Sequence, residues 1–260
     1  MRHVTTVAGR ELRGLFVSPV AYAVLALFAI LAGIFFIITN AAFQDWIMRL
    51  QQFQAFDQLQ QINLNDHLIG QFYQSMTVVL LFLIPGVTMG FFAAEKTNGT
   101  QELLLTSPLT IWDIVLGKFL AGAIFIALLT GIVGLYPALL FAYGDPELGK
   151  TLTGLLGVLL VGWVYVAIGI FASAMTRSQV IAFLLTFVLL LVLMILPAAA
   201  DLGVSGSSGA GEVLRWLSTD SHFQGLATGL VDTSALAYFA VMIGSFLVLT
   251  KAAVESVRWR

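Results

Sequence analysis

The chain has 260 residues, 59% of them hydrophobic and 10% charged, with a net charge of −2 and a mean hydropathy of +0.97. Its 12 Lys and Arg and 14 Asp and Glu are too few to cover a water-facing surface, because a soluble domain carries about a quarter charged residues. A soluble enzyme and a disordered or collagen-like chain are excluded, and an all-α integral membrane protein remains. No basic domain offers a footing for nucleic acid. Zero cysteines exclude disulfides, thiolate metal sites and cysteine nucleophiles.

Residues 2–18 predict an amphipathic helix lying on membrane lipid. Val4, Val7, Ala8, Leu12, Leu15 and Phe16 share one face, and Arg10 and Arg13 reach towards lipid phosphates. Ser18-Pro19 breaks that helix and starts the first span. Six stretches reach the roughly 20 apolar residues a crossing helix needs: about 20–42, 72–94, 119–143, 151–175, 179–200 and 233–250. The first follows 19 other residues and exceeds a signal-peptide core, so it reads as a retained anchor. The whole chain, 1–260, reads as a single transmembrane domain.

Between the first two spans, residues 43–71 are glutamine-rich, with Trp46, Leu50, Phe53, Phe56 and Leu59 at helical spacing. This predicts a partly helical segment that touches a partner or rests on the membrane. Between spans two and three, Asn98-Gly99 is a helix stop. Thr100 is placed to cap a short new helix with Glu102 in its first turn. Ser107-Pro108 punctuates its end, Ser107 capping and Pro108 opening the third-span helix. The Leu103-Leu104-Leu105 run needs a cover, on the membrane domain or on a partner. Gly131, Gly134, Gly154, Gly157, Gly162, Gly169 and Ser173 allow close helix contact within the chain. Between spans five and six, residues 201–232 predict a flexible Gly/Ser run followed by a re-entrant or interfacial helix pair.

Lys and Arg set orientation. With the amino terminus inside, Arg2, Arg10, Arg13, Lys96, Lys118, Arg177, Lys251, Arg258 and Arg260 are cytoplasmic, and only Arg49, Lys150 and Arg215 lie outside. Both termini are then expected in the cytoplasm. Gly203-Val204-Ser205-Gly206 has the G-x-S-G form of intramembrane serine proteases, but no span carries a histidine for it. There is no H-E-x-x-H and no phosphate-binding loop around Leu116-Gly117-Lys118, so no ATPase site is expected. Span interiors without ionisable groups argue against an ion-coupled carrier.

Residues 93–118 carry a more specific pattern. Ala94-Glu95-Lys96, Gly99-Thr100-x-Glu102-Leu103-Leu104-Leu105-Thr106-x-Pro108-Leu109 and Ile114-Val115-Leu116-Gly117-Lys118 resemble the signature of type-2 ABC exporter permeases. The resemblance is nearest to the GldF type of the gliding-motility ABC system and more distant to NosY. It extends to Ser18-Pro19-x-Ala21-Tyr22, Phe82-Leu83-Ile84-Pro85-x-Val87-Thr88-Met89 and Ala167–Ser173. It ends at Ser221-His222-Phe223 with Gly229-Leu230-Val231-Asp232-Thr233.

The resemblance implies a permease of a bacterial inner membrane that holds no cofactor. A cytoplasmic ABC ATPase dimer binds ATP and Mg, and a second permease subunit completes the assembly, as a homodimer or a GldG-like heteromer. Glu95, Lys96, Gly99, Thr100, Glu102, Leu103, Leu104, Thr106 and Pro108 become the ATPase-coupling segment. His222, Phe223 and Asp232 form an outer-loop motif of unassigned role. The outer segments also admit a mechanotransmission scaffold that moves an outer partner and carries no solute.

Overall fold

The computed structural model describes residues 2–53, 63–100, 109–142, 144, 146–201 and 208–258. Of these, the apolar stretches all fold as helices, because a backbone in lipid must satisfy its own hydrogen bonds. The elements are α1 (Arg2–Val17), α2 (Pro19–Gln52), a π-helical turn (Asn65–Ile69), α3 (Gly70–Thr88) and α4 (Gly90–Thr97). They continue with α5 (Ile111–Leu140), α6 (Leu148–Met175), α7 (Gln179–Asp201), α8 (Ser208–Leu217), α9 (Thr219–Ala227) and α10 (Thr233–Arg258). Six helical stretches among the described residues are long and apolar enough to cross a membrane, α3 and α4 together making one.

α6 is the central post. It packs against α3, α5, α7, α9 and α10, and its glycines let them approach. A Cβ on Gly162 would lie 2.4 Å from Ile126 of α5, and one on Gly154 2.6 Å from Tyr73 of α3. One on Gly169 would lie 2.1 Å from the Thr88 hydroxyl. Gly157 receives Phe223 and Leu226 of α9, whereas Gly131 faces open space. The outward faces of α2, α5 and α7 expose Ile30, Ile37, Leu128, Leu135, Ile181 and Val188, the surface a lipid solvent accepts.

Two helix boundaries differ from expectation. α2 runs on to Gln52, ten residues past Ala42, because nothing from Ala41 to Gln52 breaks a helix; its 34 residues reach about 51 Å. The third-span helix starts at Ile111, not at Pro108 with Ser107 as cap. Thr110 is the cap: its hydroxyl accepts from the Asp113 amide at 3.1 Å, and the Asp113 carboxylate accepts from the Thr110 amide at 3.2 Å. That reciprocal box satisfies two orphan donors, where Ser-Pro offers less. Residues 54–62, the expected helix over 101–108 and the Gly203–Gly206 motif lie outside the described residues.

α3 and α4 are interrupted at Met89, whose amide still donates to the Pro85 carbonyl at 3.0 Å. Ser173 of α6 mends the break. Its hydroxyl accepts from the Phe92 and Ala93 amides, both at 3.0 Å, and donates to the Met89 carbonyl at 2.8 Å.

Candidate functional site around Glu95

α1 presents Val7 and Ala8 to α5, where Gly117 leaves no room for a side chain: a Cβ there would lie 2.6 Å from Val7. This close contact brings Glu11 beside α5. Lys118 lies two turns inside α5 and is fully buried. Its ammonium donates to Glu95 Oε1 at 2.8 Å, to Glu11 Oε1 at 3.0 Å and to the Phe91 carbonyl at 2.6 Å. The Phe92 ring lies 5.0 Å from it. Three donors thus meet three acceptors, the condition for keeping a lysine charged away from water.

Arg10 completes the cluster, donating to Glu11 at 2.7 Å and to Glu95 at 3.2 Å. It was expected to face lipid phosphate, and instead its charge balances the second carboxylate. Two cations and two carboxylates therefore join α1, α4 and α5 into one unit. Glu95 Oε2 is buried there with no hydrogen-bond partner among the described residues.

Lys96, the next residue, points the other way. Its ammonium donates to the Ala174 carbonyl near the end of α6, where a cation complements the helix dipole. Thr97 bonds the Ala93 and Arg177 carbonyls. α4 is thus tied to α1 and α5 by Glu95 and to α6 and its following turn by Lys96 and Thr97. At its end Gly99 takes a φ of +70°, and the Thr100 amide donates back to the Glu95 carbonyl at 3.0 Å. This is a Schellman-type stop that glycine permits without strain. Of the expected coupling residues, Glu95, Lys96, Gly99 and Thr100 converge on this end of the bundle. Glu102, Leu103, Leu104, Thr106 and Pro108 lie outside the described residues.

Arg10, Glu11 and Lys118 were not expected in the site. Lys118 carried a readable signal. It has Ile114-Val115-Leu116-Gly117 before it and Phe119-Leu120 after it, so a helix through it buries an ammonium that must find anions.

At the opposite end, the His222, Phe223 and Asp232 motif divides. Phe223 is buried against Gly157. His222 stacks on Tyr238 at 4.0 Å and 4°, with Nδ1 3.0 Å from the Ser218 carbonyl oxygen. Asp232 is an exposed cap of α10, and hydrogen bonds from Ser234 hold its carboxyl below the usual carboxylate range. Among the described residues no group of three or more His, Asp or Glu could hold a metal ion.

Over residues 5–257 the chain matches the family described as ABC-2 family transporter protein. No curated protein matches it.

Proposed function

This chain belongs to the ABC-2 transporter family, and from that membership we propose that it is the permease subunit of an ATP-driven exporter. Permeases of this family are non-catalytic transport components. The subunit forms a single membrane domain over 1–260. It lies in the inner membrane of a bacterium with both termini in the cytoplasm, the side its Lys and Arg favour. A cytoplasmic ATPase dimer docks on the segment from Glu95 to Pro108, and a second permease subunit, a like copy or a GldG-like one, completes the complex. The motifs quoted above support a reading nearest the GldF type.

The observation that carries this reading is the four-charge cluster of Arg10, Glu11, Glu95 and Lys118. It sits where the chain enters and leaves residues 101–108. A push on that segment reaches α4 through the Gly99 turn and α5 through the Thr110–Asp113 box. The salt-bridged cluster makes both helices move together with α1. Such a tie suits a part driven from outside itself.

The test is co-purification and stimulated ATP hydrolysis with an ABC ATPase from the same organism. Glu102→Ala combined with Leu104→Asp is expected to abolish docking while the permease stays folded. Lys118→Met is expected to keep docking but uncouple hydrolysis from transport. An ATPase that still binds the double variant with unchanged affinity overturns the reading.

A further inference from the structure

Far from the Glu95 cluster, α3, α6, α7 and α9 enclose a small cavity. Gln74, Thr77, Tyr165, Thr219 and Asp220 supply its polar wall, and Val78, Val161, Met194 and Phe223 its apolar one. Its volume of about 20 Å³ admits one water-sized group, the size of an ammonium. Gln74 also lines an open groove of about 310 Å³ with Asp66, Gln71, Gln224 and Thr228.

Two observations show that the cavity is unfinished as a piece of protein. Tyr165 is 5% exposed, and among the described residues its hydroxyl has no hydrogen bond although it lines the cavity. That hydroxyl is open to the cavity, where a bound group can reach it. Asp220 accepts from the Gln74 amide and from the Gln224 amide at 3.0 Å. It forms no ion pair among the described residues. A carboxylate against an apolar wall favours a cation to offset its charge.

We propose that this cavity binds a primary ammonium group, with Asp220 as counter-ion and the Tyr165 and Gln74 oxygens as further acceptors. An ammonium brings three donors, and the site offers three kinds of acceptor oxygen. Its alkyl neighbour meets Val78, Val161 and Met194. The ammonium comes from a free amine or from a lipid headgroup. That an exporter would carry such a molecule rests on the permease reading; the binding itself does not.

The experiment uses the full chain in phosphatidylcholine nanodiscs without an ATPase, so its outcome is separate from that of docking. n-Butylamine hydrochloride is titrated against equal sodium chloride, with n-butanol as the uncharged control, and the unfolding temperature is followed. A saturable rise with butylamine and none with butanol is expected. Tyr165→Phe is expected to raise the half-saturating concentration at least threefold, and Asp220→Asn at least tenfold. Replacing half the lipid with phosphatidylethanolamine weakens the butylamine response if a headgroup fills the cavity and leaves it unchanged if a free amine does. An equal response to butanol overturns the proposal. So does a wild-type half-saturation in Tyr165→Phe, the variant that decides if Asp220→Asn does not fold.

Discussion

Lys118 shows how a single charge shapes this protein. Its burial is tolerable only because two carboxylates and a carbonyl receive all three of its donors. Lys118→Met removes the cation and leaves Glu11 and Glu95 facing each other with Arg10 alone. Breaking a buried ion pair in this way costs about 3–5 kcal/mol, and thermal unfolding in detergent is expected to show a loss of that order. The triple variant Lys118→Met, Glu11→Gln, Glu95→Gln is expected to recover much of it, since the one charge that remains, Arg10, is half exposed to solvent. A second charge reports at the other end. Hydrogen bonds from Asn63, and then the nearby Lys150, hold the exposed Glu147 carboxyl below its usual range. Because the folded value is depressed, the stabilisation is present above the unfolded value and is lost as pH falls through the folded one. In Asn63→Ala that loss is expected at higher pH, readable by carboxyl NMR titration of Glu147.

The α3–α4 break and its mending by Ser173 depend on two distant stretches meeting. Only the packing of α6 brings a hydroxyl to the Phe92 and Ala93 amides. Ser173→Ala leaves those buried groups unsatisfied and is expected to cost about 1–3 kcal/mol. Ser173→Thr retains the hydroxyl and tests whether the hydrogen bonds, not the residue's size, matter. Close approach is tested at Gly169, where a Cβ would lie 2.1 Å from Thr88. Gly169→Ala is expected to destabilise by about 1–3 kcal/mol through overpacking, whereas Gly131→Ala, in open space, is expected to be neutral in the same unfolding measurement. The difference was not legible beforehand, because both glycines sit in equally apolar helices.

The bundle as a whole separates two polar ends. One holds Arg10, Glu11, Glu95 and Lys118; the other holds Asn65, Glu147, Thr151 and Asp220. The Asn65 amide ties the π-helical turn to α6 through the Glu147 carbonyl at 3.0 Å and the Thr151 hydroxyl at 3.1 Å. The proposed orientation makes the first end cytoplasmic. Since the chain has no cysteine, single cysteines at Thr100 and Gln224 report it directly. In sealed cells an impermeant maleimide is expected to label Gln224→Cys and to leave Thr100→Cys unlabelled until the membrane is opened. The opposite pattern would reverse the orientation and with it the docking side.

Composition and apolar run length alone determined that this chain is a helical membrane protein. The hydrocarbon core requires a fixed span length and internally satisfied backbone, and both are written locally in hydropathy. The Ser18-Pro19 break and the Asn98-Gly99 stop were equally local, since a missing amide hydrogen and a left-handed φ belong to single residues. The proposed coupling segment was legible only as a motif resemblance, and the ion-pair cluster beside it was not legible at all. That Lys118 meets Glu11 from 107 residues away depended on Gly117 admitting Val7. The amphipathic cavity at Asp220 likewise exists only because α9 folds against α6. Ion pairs and cavities are relations between elements, and the packing of the tertiary structure decided them.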